Sequence, residues 1–118
     1  MITSIAFTVY PVKNMAAARA FYEEALGLKV ESNWQDQWIE YDIAGSTFAI
    51  TSMDDRHIAG AKGALVGFEV SDVDTFAAGL KTKGVRFVQD VTSTPVCRMG
   101  IVNDPDGNEV VIHQRNRA

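Results

Sequence analysis

The chain has 118 residues, 47% of them hydrophobic and 22% charged, which is one domain's worth of ordinary globular composition and argues against disorder. Eleven Lys and Arg face fifteen Asp and Glu, a net charge of -4. No basic cluster suggests nucleic acid or an anionic membrane as a partner. The single cysteine excludes an internal disulfide and thiolate zinc sites. No signal-like N-terminus and no apolar run of about 18 residues is present, so a cytoplasmic protein is expected.

Ser4 to Tyr10, rich in β-branched and aromatic residues, predicts a strand that Pro11 ends. Asn14 is a candidate helix N-cap. Met15, Ala18, Phe21, Tyr22, Ala25 and Leu26 then form one apolar stripe, which Gly27 stops. Leu28 to Trp34, Trp38 to Ile43 and Thr47 to Ser52 predict three further strands, the last two joined at Ala44-Gly45-Ser46. Met53 to Gly63 reads as a linker.

The order then repeats. Ala64 to Val70 predicts a strand, and Ser71 with Asp74 has capping-box spacing. Val73, Phe76, Ala77 and Leu80 predict an amphipathic helix stopped by Gly84. Strands are expected over Val85 to Val91, Cys97 to Asn103 and Asn108 to Gln114, the last pair around the turn Asp104-Pro105-Asp106-Gly107. The fold class is therefore α+β: two tandem βαβββ modules, residues 1–57 and 63–118, within one domain spanning 1–118. Each helix covers one sheet face, and the bare faces of two half-barrel sheets are expected to form a shared cavity.

Ala20-Phe21-Tyr22-Glu23-Glu24-Ala25-Leu26-Gly27-Leu28, Val70-Ser71-Asp72-Val73-Asp74 and Asn103-Asp104-Pro105-Asp106-Gly107-Asn108-Glu109 carry a resemblance. Together they resemble the vicinal oxygen chelate superfamily, which includes glyoxalase I, bleomycin-resistance proteins and extradiol dioxygenases. Glyoxalase-like members hold a divalent metal on four His, Gln or Glu side chains. Carried onto this chain, those positions fall at Phe7, near Thr51, Leu65 and Val111. Phe, Leu and Val offer no ligand, and a lone threonine hydroxyl is a poor one. The resemblance implies the fold and denies the usual metal site, so no metal and no cofactor are expected.

Strand alternation assigns the remaining candidates. Ile5, Phe7, Val9, Trp38, Glu40, Thr51, Leu65, Glu69, Glu109, Val111 and His113 are expected on the bare faces, and the resemblance adds Cys97, Met99 and Ile101. Of these, Phe7, Trp38, Glu40, Thr51, Leu65, Met99, Ile101 and Val111 are the candidate ligand-binding set. Largely apolar linings with a few polar groups suit a small, flat or aromatic molecule. His113, Glu109 and Glu69 are the candidate catalytic acid/base residues. Cys97 is read as a small buried residue rather than a nucleophile, because Arg98 points to the opposite face. Arg115 and Arg117 are either anion contacts or solvated.

Three functions follow. The first is metal-free binding of a small ligand, as the resemblance to bleomycin-resistance proteins implies. The second is a lyase or isomerase of glyoxalase type, using Glu and His or a non-standard metal site. The third is a module whose open sheet face docks another protein. An apolar bare face also predicts a homodimer.

Overall fold

A computed structural model describes residues 1, 3–61, 63, 65–95 and 97–116. The chain divides into two compact units, Met1–Ala61 and Lys62–Ala118. Each contains a four-stranded mixed sheet and one helical segment, the α+β arrangement of a βαβββ module. Among the described residues no helix is long and apolar enough to cross a membrane.

In the first unit β1 (Thr8–Pro11) leads into α1 (Met15–Arg19). The Asn14 side chain accepts the Ala17 N–H at 3.0 Å, the N-cap its position predicts. The helix does not stay α-helical. Ala20–Ala25 is π-helical, and the Leu26 N–H reaches back five residues to the Phe21 carbonyl at 2.9 Å. Gly27 then turns the chain at φ 78°. Strands β2 (Val30–Trp34), β3 (Trp38–Ile43) and β4 (Ser46–Thr51) form a meander, and β1 adds to β4 in parallel, giving the order β1-β4-β3-β2.

One sheet face carries Tyr41, Phe48, Ile39 and Ile50, all buried. Tyr22 brings the helix onto it, with ring centroids 5.2 Å from Phe48 and 6.3 Å from Tyr41. Burying such rings removes a large apolar area from water, at about 25 cal/mol per Å². One polar group goes in with them. The Tyr41 hydroxyl donates to Glu23 Oε2 at 2.9 Å, and the Arg19 guanidinium holds both oxygens of that carboxylate.

The second unit repeats the plan. β5 (Val66–Glu69) precedes α2 (Val73–Thr82), followed by β6 (Phe87–Ser93), β7 (Cys97–Asn103) and β8 (Glu109–Arg115), in the order β5-β8-β7-β6. Ala64, the expected start of the first of these strands, lies outside the described residues, as does Arg117. The N-cap is Asp72, not Ser71. Its carboxylate takes both the N–H and the hydroxyl of Thr75, so the helix starts one residue later than the capping-box spacing implied. Val73, Ala77 and Leu80 of α2 are buried, as are Val102, Val110 and Ile112 on the sheet. Arg98 lies on the helix side, where it pairs with Asp74 at 2.7 Å.

Candidate functional site

Ladder register decides which side chains share a face, because directly opposed residues point the same way. In the first sheet Trp38 opposes both Thr51 and Trp34, and Glu40 opposes Ala49, which opposes Val9. Trp34, Trp38, Glu40, Thr51, Ala49 and Val9 therefore lie on the face away from the helix, and alternation adds Phe7. The Phe7 ring meets Trp38 edge-to-face, centroids 5.3 Å apart and planes at 88°. The Trp38 indole N–H donates to Glu40 Oε2 at 2.8 Å, which fixes the ring. Phe7 remains 45% exposed and Trp34 52% exposed. This is an aromatic surface with one carboxylate at its centre.

Thr51 differs from the others. It is buried, its hydroxyl donates to the Gln37 carbonyl at 3.0 Å and accepts the Met53 N–H at 3.0 Å. Its oxygen closes the strand end rather than facing a ligand.

In the second sheet Glu69 opposes His113, which opposes Met99, which opposes Thr92. One step along, Gly67 opposes Val111, Val111 opposes Ile101, and Ile101 opposes Gln89. His113 Nδ1 lies 2.5 Å from Glu69 Oε1, and the other carboxylate oxygen accepts the Arg115 N–H at 2.7 Å. These two bonds, the main-chain one foremost, hold the Glu69 carboxyl below the usual carboxylate range. Glu109 does not join them. It opposes Asn103, four residues and about 13 Å along the strand from His113. Of three acid/base candidates, the fold pairs His113 with Glu69 and sets Glu109 apart.

Val111 is buried, whereas Leu65 is 53% exposed, so the bare apolar area here belongs chiefly to Leu65. Cys97 is also buried, its Sγ 3.1 Å from Thr94 Oγ1. His57 sits in an exposed loop against Asp54, at 2.7 Å.

The metal positions can be tested by register. In the second sheet Leu65 lies two residues before Gly67, the partner of Val111. The same step from Phe7 runs to Val9, whose partner is Ala49 rather than Thr51. The equivalent set is then Phe7, Ala49, Leu65 and Val111, with no donor side chain at all. These residues do not fit a divalent cation. Among the described residues no group of three His, Cys, Asp or Glu is placed to hold one elsewhere. Sequence reasoning missed Ala49 because a small residue in a strand carries no chemical signal. Trp34 and Gln89 enter the two faces only through ladder pairing.

Residues 4–112 match the family model of the Glyoxalase/Bleomycin resistance protein/Dioxygenase superfamily. The chain belongs to that superfamily. Among solved structures of this fold it is similar to TnmS3, an antibiotic binding protein from Streptomyces sp. CB03234, with 24% identity, 98% of each chain covered and a TM-score of 0.84. It is also similar to a glyoxalase/bleomycin resistance protein from the same organism, with 24% identity, 94% of this chain and 100% of that one covered, and a TM-score of 0.78. A lactoylglutathione lyase from Agrobacterium tumefaciens matches at 20% identity, covering 97% and 95%, with a TM-score of 0.78. A binder and an enzyme are thus comparably similar, and at these identities the superfamily fold alone is shared. No curated protein matches the chain.

Proposed function

We propose that this glyoxalase/bleomycin-resistance-like chain binds a small, partly aromatic molecule without a metal. The observation that carries the reading is the fixed aromatic pair on the open face of the first sheet. Phe7 stands where the superfamily's metal ligand falls and packs against Trp38, whose indole is tied to Glu40. Flat rings offer a ligand a large contact area and lose little freedom on binding. The antibiotic binding protein TnmS3 is a relative with a compatible role. The bare apolar side chains also favour a homodimer in solution.

Tryptophan emission tests the reading, since Trp34 and Trp38 are the only two. Titration with 1-naphthol is expected to quench or shift it, and Trp38→Phe is expected to remove most of the change. A variant that responds like the parent puts Trp38 outside the site. Elemental analysis of untagged protein and a melt in chelator test the metal. Near-stoichiometric metal with a lowered melting point overturns the metal-free claim.

A second reading is favoured by the His113–Glu69 pair, a carboxylate-oriented imidazole of the kind used in acid/base catalysis. On that reading the chain is a lyase or isomerase of glyoxalase type. Product accumulating beyond one equivalent per chain supports it. Stoichiometric protection of a compound without turnover supports binding.

A further inference from the structure

We infer that Glu69 fixes the tautomer of His113, so that Nε2 accepts a hydrogen bond from a weakly acidic hydroxyl, phenolic or enolic, on the open face of the second sheet. The inference rests on the reading that the chain binds a small, partly aromatic molecule, and it concerns the open face of the second sheet by itself.

The argument begins with the carboxylate. Glu69 ends β5, and its Oε2 is held by the Arg115 N–H at 2.7 Å, so Oε1 is aimed rather than free to rotate. Oε1 meets His113 Nδ1 at 2.5 Å. An ionised carboxylate only accepts, so Nδ1 must carry the proton in that contact. In a neutral imidazole the other nitrogen then has a lone pair and no hydrogen. Carboxylates orient metal-binding histidines by the same device. Here the donor set excludes a metal of the superfamily's kind, which leaves Nε2 to take a hydrogen-bond donor. Nε2 has no hydrogen-bond partner among the described residues.

The surroundings define the rest of the ligand. Met99 opposes His113 directly, and Val111 and Ile101 form the adjacent rung. Gly67 opposes Val111 with no side chain of its own, and a Cβ there would stand 3.7 Å from Val111 Cβ. A thioether and branched aliphatic groups suit an apolar body. A ligand that presents only acceptors, such as an ether or a ketone, brings its lone pairs against that of Nε2 and gains nothing.

The test has two arms. Nitrogen-15 NMR reads the tautomers of the two histidines directly, with His57→Gln separating them, at pH 8, above the ordinary histidine range of about 6.5. His113 is expected in the Nδ1–H form, and Glu69→Gln is expected to shift it toward the Nε2–H form. Calorimetry then compares 1-naphthol with 1-methoxynaphthalene, which differ in the donor. The parent is expected to prefer naphthol by roughly five- to tenfold, the worth of one neutral hydrogen bond. Glu69→Gln and His113→Phe are expected to bring the ratio near one. Should His113→Phe fail to fold, Glu69→Gln decides alone, because it alters an exposed carboxylate. An Nε2–H tautomer in the parent overturns the inference. So does equal binding of the two probes, which leaves the binding reading intact. Failure of both probes to bind overturns the two together.

Discussion

Glu23 is a heavily engaged carboxylate of the first unit. It accepts from Arg19 at 2.7 and 3.1 Å and from the Tyr41 hydroxyl at 2.9 Å, while Arg19 also reaches Asp36 at 2.8 Å. Burial, and then the bond to Glu23, push the Tyr41 hydroxyl far above its usual range. The group is neutral in the folded state at a pH where the unfolded chain would ionise it. Its contribution is therefore complete below the unfolded value of about 10 and is lost as pH rises toward the folded one. Tyr41→Phe is expected to cost about 1 kcal/mol at neutral pH. It is also expected to shallow the alkaline loss of stability, measured by urea unfolding from pH 8 to 11. A parent whose tyrosines all ionise below pH 11 without unfolding refutes this account.

The strand hairpins show what a sequence reveals and what it hides. Trp38–Ile43 and Cys97–Asn103 were legible to the residue, because each is an alternating run bounded by a turn. β6 starts at Phe87 rather than Val85, since the Val85 N–H is taken by the Leu80 carbonyl at the end of α2. The π-helical segment was invisible, because its apolar stripe fits an ordinary helical period, whereas its backbone bonds, such as Leu26 to Phe21, reach back five residues. The turn at Gln35 and Asp36 carried no glycine signal, yet both residues adopt positive φ, 51° and 57°. Asp36 is held there by the Asn33 side chain at 2.8 Å and by Arg19. The candidate faces were legible from alternation, but the pairing of Glu69 with His113 was not, because it joins residues 44 apart in the chain. Ala44 offers a test of turn chemistry. It sits at φ 51° beside Gly45 at φ 90°, the two positive angles of a type I′ turn. An alanine there is strained by about 1 kcal/mol relative to glycine. Ala44→Gly is expected to raise the urea midpoint with an unchanged slope; a lowered midpoint contradicts it.

Across the whole molecule, Ile5 (85% exposed), Phe7, Trp34 and Leu65 are large apolar side chains left in water. We expect a second copy of the chain to cover part of it. Light scattering over a concentration series is expected to report twice 12.9 kDa, and a mass fixed at 12.9 kDa into the high micromolar range refutes the dimer. Phe7 also belongs to the aromatic surface proposed above for the ligand. Phe7→Ser is therefore expected to weaken both dimer and naphthol binding.

The parallel pairings carry a consequence for how the chain folds. Thr8 meets Phe48, and Val66 meets Val110, so each module's first strand waits about 40 residues for its neighbour. The β2-β3-β4 and β6-β7-β8 meanders need only short loops. Closing the long loop loses chain entropy before contacts repay it, so the local meander is expected to form first and the opening strand to dock last. Val9→Ala in β1 should then leave the refolding rate nearly unchanged and speed unfolding, whereas Ile39→Val in β3 should slow refolding. Stopped-flow chevrons of the two variants read the order directly. Until its opening strand arrives, each meander leaves the backbone edge of β4 or β8 unpaired, and that transient edge is where a folding chain of this design is most open to association with another.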